Sequence, residues 1–273
     1  MALRGRTIVL PLGLVMKHHS NMSFRFLTII ICWLALPLST ARLAAQTGAT
    51  GTPGGLNTSI IHLFGDAKAF SAKAQVQVLD KELKETMLAP VRFSLLEKKL
   101  VLDIDLSTVK SAELPAGAAA ALKKVGMADL RTLIRPDKKM VYIIYEGPRC
   151  ILRMPLTPED LRSVDKPLNS QKTVIGKETL DGHECVKNKV VLSDDHGPVI
   201  EAITWNATDL NGFPWQIRSR EKDQTSTIRF SELNLSSPDP GKFDPPVGYT
   251  EYKDIQEMST GLLKKAFLGD DSK

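Results

Sequence analysis

The stretch Gln171–Leu235, QKTVIGKETLDGHECVKNKVVLSDDHGPVIEAITWNATDLNGFPWQIRSREKDQTSTIRFSELNL, decides the fold. Apolar runs alternate with polar ones. Turn residues fall at Asp181-Gly182, at Asp194 to Pro198, at Asn211-Gly212 and at Lys222-Asp223. Strands that turn back at such dipeptides form an antiparallel meander. Val199, Glu201, Ile203 and Trp205 share one face of their strand. Phe213, Trp215 and Ile217 are in phase on the next, so Trp205 and Trp215 are expected to meet across the turn. Ile228 and Phe230 are out of phase with Leu233 and Leu235, which predicts a bulge between the two pairs.

Upstream the two-residue period continues. Phe70, Ala72, Ala74, Val76 and Val78 alternate with Ser71, Lys73, Gln75 and Gln77, a strand with one buried face. Its alanines allow strong curvature or the close approach of another element. Leu100, Leu102, Ile104 and Leu106 oppose Val101, Asp103 and Asp105 in the same way. Residues 139–146, KMVYIIYE, are apolar on both sides: Met140, Tyr142 and Ile144 on one, Val141, Ile143 and Tyr145 on the other. Such a strand is central and covered on both faces. Helical signals are brief. Residues 115–125 open on a proline and end before Gly126. Thr157-Pro158 starts another helix. Residues 254–268 form a terminal amphipathic helix, and residues 237–249 form a proline-rich closing loop.

The formal charge of +5 arises from 36 basic and 31 acidic residues. Arg4, Arg6, Lys17, Arg25 and Arg42 lie within residues 1–45, which hold no acid, so the remainder balances to zero. That balance speaks against a nucleic-acid partner, which calls for a basic patch on the folded body. Residues 1–45 read as a leader whose translation start is Met16 or Met22. Leu27–Leu38 is its apolar core, too short to span a bilayer, and Leu43-Ala44-Ala45 precedes a cleavage point. An uncleaved anchor is the alternative. Residues 46–56 are a Gly/Thr-rich linker, residues 57–250 the main domain, and residues 251–273 a C-terminal helix with a polar tail. An exported chain, periplasmic or secreted, is the expectation. Cys150 and Cys185 then have two readings. One is a disulfide closing a loop of about 35 residues, worth roughly 3–4 kcal/mol. The other is a pair of free thiols on buried strands.

Signatures of catalysis are thin. The sequence has no G-x-S-x-G, H-E-x-x-H, phosphate loop or C-x-x-C. His183 and Cys185 share a strand face, the arrangement of a Cys–His nucleophile, but no third orienting group accompanies them. They read as a strand edge after a turn. Asp103 and Asp105 read as a solvated face rather than an acid–base pair, and Asp194-Asp195-His196 as a turn. No metal site and no cofactor are expected.

Gly176–Leu192 (GKETLDGHECVKNKVVL), the Trp205 to Trp215 hairpin with Gly212-Phe213-Pro214, and Lys242–Tyr249 (KFDPPVGY) carry a resemblance to one family. With the leader, the central helix and the proline-rich closure, the chain resembles the outer-membrane lipoprotein carrier and receptor family (LolA/LolB-like), above all its uncharacterised periplasmic members. The resemblance implies an α+β fold: a strongly curved, mostly antiparallel half-barrel of about eleven strands, with a few helices covering the concave side. It also implies an apolar hollow that accepts acyl chains, and a lid-holding arginine, for which Arg135 is the candidate. The expected function is non-catalytic binding of a lipid, a lipoprotein acyl chain or another apolar ligand, with transient membrane contact. Phe70, Val76, Val78, Met140, Tyr142, Ile144, Trp205 and Trp215 are the expected lining. An envelope interaction module with a filled core and a protein partner is the alternative, and a hydrolase the remote one.

Overall fold

The computed structural model describes residues 60–165, 168–221 and 223–268. The expected leader, residues 1–45, and the expected linker, residues 46–56, lie outside the described residues. A short helix, α1 (Ile60–Leu63), leads into β1 (Ala69–Leu79), β2 (Glu85–Leu96), β3 (Lys99–Asp105) and β4 (Lys110–Ser111). Helix α2 (Ala118–Lys124) precedes β5 (Asp129–Arg135), β6 (Met140–Tyr145) and β7 (Cys150–Pro155). Helix α3 (Pro158–Asp165) then leads to the meander: β8 (Asn169–Leu180), β9 (His183–Asp194), β10 (Gly197–Ala207), β11 (Phe213–Glu221) and β12 (Gln224–Asn234). β13 (Thr250–Tyr252) and α4 (Ile255–Leu268) close the described chain.

Among the described residues thirteen strands form one sheet, in the order β13-β7-β6-β5-β3-β2-β1-β12-β11-β10-β9-β8, with β4 pairing β2 off that path. Among the described strands only the β13–β7 pair is parallel. The sheet is an open, curved half-barrel, as expected, with two strands more than the resemblance implies. After β7 the chain crosses by way of α3 to β8, at the other end of the strand order.

Turn chemistry sets the register. Asp181 and Gly182 have φ of 50° and 86°, and Asn211 and Gly212 have 53° and 72°, the left-handed pairs that tight hairpins require. The bulge expected in β12 is present: β1 and β12 shift register between Ser71 and Lys73, and Glu232 there has a positive φ of 48°. Asp254 caps α4 by accepting from the Glu257 amide at 2.7 Å, while Glu257 accepts from the Lys253 amide at 2.9 Å.

Two apolar clusters lie on opposite faces of the sheet. The larger one occupies the helix-covered, concave face. It joins inward residues of the long strands to Phe64, beside α1, Leu122 of α2 and Met258 of α4, with Leu161 of α3 packed against it. Helix α4 thus shares one core with the strands. The smaller cluster, Val101, Leu133, Tyr142, Ile144, Ile151 and Phe243, lies on the outer face of β3, β5, β6 and β7. There the proline-rich segment acts as a strap, and β6 is covered on both sides as its sequence predicts.

The two cysteines are free and buried. Eight strands separate β7 from β9 in the sheet order, so Cys150 and Cys185 sit in distant parts of the core and the disulfide reading is corrected. Burial pushes the Cys150 thiol up to about 11 and that of Cys185 upward as well.

Candidate functional site

Cross-strand register identifies the concave floor residue by residue. One rung runs Val174, Asn188, Thr204, Ile217, Ile228, Val76 and Ala89. The next runs Lys172, Val190, Ala202, Ser219, Ser226, Val78 and Met87. Directly opposed residues share a face, so each rung is a line of side chains across the floor. Most of these side chains are small or medium-sized, and from β9 to β2 almost all are buried.

The end of the floor next to α1 is different. Phe64 meets Phe70 with ring centroids 4.9 Å apart, Phe70 meets Phe213 at 5.0 Å, and Phe230 meets Phe213 and Phe93 at 5.2 Å each. Edge-to-face packing of this kind fills the space and fixes it. His62 adds a polar tie, its Nε2 donating to the Ser163 carbonyl at 3.1 Å and so joining α1 to α3.

The floor also carries buried polar groups. Asn188 and Thr204 are both 1% exposed. Asn188 Nδ2 donates to Asn206 Oδ1 at 2.9 Å, Thr204 Oγ1 donates to the same oxygen at 2.7 Å, and Asn206 Nδ2 donates to the Gly212 carbonyl at 2.7 Å. The network satisfies amides that an apolar floor would otherwise strand.

The eight residues expected to line the concave side divide. Phe70, Val76 and Val78 belong to the larger cluster, on the floor or the aromatic block beside it. Tyr142 and Ile144 belong to the outer cluster and Met140 packs against it, so these three are corrected. Strand β6 is apolar on both sides, so alternation could not set its phase. Pairing does: Ile134 with Val141, Thr132 with Ile143 and Leu130 with Tyr145 turn the odd-numbered residues inward.

Trp205 neighbours Thr204 and takes the opposite face, opposite Lys187 and Gln216, although it still packs into the larger cluster. Its indole donates to Glu178 at 2.7 Å, with Lys187 Nζ 4.9 Å and the Arg218 guanidinium 5.1 Å from the ring centroid. The Trp205 bond holds the Glu178 carboxyl below the usual range. Trp215 does not pair with Trp205. The β10–β11 register shifts just after Trp205, which pairs with Gln216. Trp215 packs instead on the His183 ring at 4.3 Å and donates to Asp181 at 2.9 Å.

The other chemical candidates have structural partners. His183 Nδ1 meets Asp209 at 2.7 Å, whereas Cys185 Sγ leans on the His183 carbonyl at 3.5 Å, so the imidazole is not paired with the thiol. Asp103 accepts from Arg131 at 2.7 Å, and Asp105 caps the short turn at Ser107. Asp194 accepts from the His196 amide at 2.7 Å, a turn bond. Among the described residues no group of three or more His, Cys, Asp or Glu could hold a metal, and no helix is long and apolar enough to cross a membrane. Arg135 is a latch, but for the outer strap: Nη1 donates to the Phe243 carbonyl and to Asp244.

Sequence reasoning missed Asn188, Thr204 and Ser226 because they are polar residues on an inward face. It also missed Val174 and Lys172, whose face is set only by pairing with β9.

No protein-family model matches the chain, and no curated protein matches it. Solved structures do. A LolA superfamily protein of Nitrosomonas europaea is similar at 10% identity and a TM-score of 0.32, over 69% of this chain and 95% of that one. The lipoprotein LppX of Mycobacterium tuberculosis is similar at 10% identity and a TM-score of 0.35, over 66% of this chain and 93% of the other. LprF of Mycobacterium bovis is similar at 13% identity and a TM-score of 0.32, over 70% and 99%.

Proposed function

We propose that this chain is an exported, non-catalytic protein that holds an apolar ligand, a lipid or a lipoprotein acyl chain, on the concave floor. Residues 57–250 are the binding unit, the leader 1–45 and linker 46–56 precede it, and the terminal helix within 251–273 helps to cover it. One observation carries the reading. Beyond the aromatic block, the floor is lined by Ala74, Val76, Val78, Ala89, Val91 and Ala202, a run of short, buried side chains in one cluster with Leu122 and Met258 of the helices. Burying alkyl surface there supplies about 25 cal/mol per Å². Val76 and Val78 are contact residues in this reading, and Phe70 closes one end.

Native mass spectrometry of the gently purified protein tests it, followed by titration with fatty acids and a diacylated lipopeptide. Co-purified or added amphiphile at one per chain is the expected result. A bare mass at every amphiphile concentration would overturn the reading. The five-phenylalanine block favours a second reading, an envelope module with a filled core that binds a protein partner. That reading predicts the bare mass.

A further inference from the structure

The floor has an open end. Along its first rung, Asn188, Thr204, Ile217, Ile228, Val76 and Ala89 are covered or nearly so, yet Val174 on the same face is 64% exposed. Along the second rung Val190 and Ala202 are buried, whereas Lys172 at the end is exposed. Every residue of β8 is exposed or half-exposed. The strand is thus a lip over which the concave floor reaches solvent. On that lip an apolar side chain and a cation stand two residues apart on the inward face. Among the described residues Lys172 has no ion-pair partner, whereas Lys187 and Lys189 nearby are paired with Glu178 and Glu201.

The order of chemistry along the rungs is that of an amphiphile. A cation stands at the rim beside exposed Val174. On the first rung the buried hydrogen-bonding side chains of Asn188 and Thr204 come next, and then the aliphatic Ile217, Ile228, Val76 and Ala89; on the second, Val190 and Ala202 are followed by Ser219 and Ser226 and then by Val78 and Met87. We propose that the ligand is an anionic, acyl-bearing amphiphile that lies across β8. Its tail runs inward past Val174 along the floor, and its carboxylate or phosphate is paired with Lys172. This rests on the reading above and adds to it the charge of the ligand and its direction of entry. An edge strand serving protein partners would offer a smooth ladder. β8 instead shifts register between Val174 and Gly176, a bulge that blunts strand addition at that point.

Binding of three ligands with one acyl length tests the proposal: a fatty acid, a lysophosphatidic acid and the neutral monoacylglycerol. Each is measured with the native protein and with Lys172→Glu, and Lys177→Glu on the same strand serves as the charge control. Both side chains are exposed, and circular dichroism checks the fold of each variant. Lys172→Glu is expected to weaken the anionic ligands about tenfold, and Lys172→Ala about threefold, with the monoacylglycerol unchanged and Lys177→Glu near native. Loss confined to the fatty acid or to the lysophosphatidic acid identifies the headgroup as carboxylate or phosphate and supports the proposal. Equal binding of neutral and anionic ligands, indifferent to Lys172→Glu, overturns the headgroup assignment and leaves the acyl floor standing. Binding of none of the three overturns both.

Discussion

Arg135 Nη1 lies 2.6 Å from the Phe243 carbonyl and 2.6 Å from an Asp244 carboxylate oxygen, so one side chain fastens the proline-rich strap to the outer face of the sheet. Its Nε and Nη2 fork onto Asp137 at 2.9 and 2.7 Å. The guanidinium is almost wholly buried, while both carboxylates keep one side in water. Arg135→Ala would leave the buried Phe243 carbonyl without its donor and is expected to destabilise the fold by about 2–3 kcal/mol. Arg135→Lys should recover less than half, because an ammonium cannot fork. Hydrogen exchange is the discriminating measurement. In the alanine variant, amides of residues 240–249 should lose protection before those of β1 and β2. Uniform loss across the sheet would show that the strap is not held at this point.

Gly126 and Gly147 form a different kind of contact. A Cβ placed on Gly147 would stand 2.0 Å from the Gly126 carbonyl oxygen, backbone against backbone, and Gly126 itself has φ +70°. Neither chain can yield without moving the β6–β7 turn or the end of α2. Gly147→Ala should therefore cost about 3 kcal/mol, as overpacking does. Gly182, at φ +86° with nothing within 4 Å, is the control. There alanine meets only the left-handed backbone penalty, about 1 kcal/mol. Equal urea midpoints for the two variants would refute the close approach.

These two sites also mark what the sequence could and could not express. Asp181-Gly182 and Asn211-Gly212 declare their turns because a left-handed backbone selects those residues, and the β12 bulge is declared by Ile228 and Phe230 falling out of phase with Leu233. The antiparallel half-barrel was legible from such local rules and from the family resemblance. The site was less so. Met140, Tyr142 and Ile144 are as apolar as Val141, Ile143 and Tyr145, and only pairing with β5 says which set faces inward. On β10 the signal was incomplete: Ile203 and Trp205 read as the core set and both join the larger cluster, but Thr204, which the alternation assigns to the other face, is the residue on the floor rung. A buried threonine whose hydroxyl is satisfied by Asn206 costs little, so polarity along that strand does not report burial. The contact of Gly126 with Gly147 leaves no trace in a linear pattern at all.

His62 makes stability depend on pH. Burial is the main cause that holds its pKa below the usual 6.5. The Ser163 carbonyl pulls the other way, and Lys98 adds a smaller lowering. The unfolded chain therefore takes up a proton at a higher pH than the folded one. The stabilisation is complete above pH 6.5 and is lost as pH falls from there through the depressed folded value. Glutamine keeps a donor for Ser163 but does not titrate. Native protein and His62→Gln, unfolded in urea at pH 7.5, 6.5, 5.5 and 5, should converge as the pH drops, with the native slope the steeper. Parallel slopes would mean that His62 is not buried as a neutral ring.

Phe64 tests the division of the floor into a packed end and a ligand end. Its ring is 2% exposed and meets Phe70 at 4.9 Å, Phe230 at 5.9 Å and Phe213 at 6.3 Å. Truncation to alanine removes most of a buried ring from a cluster whose neighbours are held by each other, so little collapse can follow. The cost should be about 3–5 kcal/mol, the range for large-to-small changes at rigid sites. The same change extends the apolar space beyond Ala74 toward α1. If the end of the acyl chain turns from the rungs past Ala74 toward the aromatic block, Phe64→Ala should shift the preferred fatty acid to a longer chain, and Phe64→Trp to a shorter one. Native mass spectra with an equimolar mixture of saturated acids read that preference directly. Destabilisation without any change in chain-length preference would separate the aromatic block from the binding floor and place the end of the ligand elsewhere.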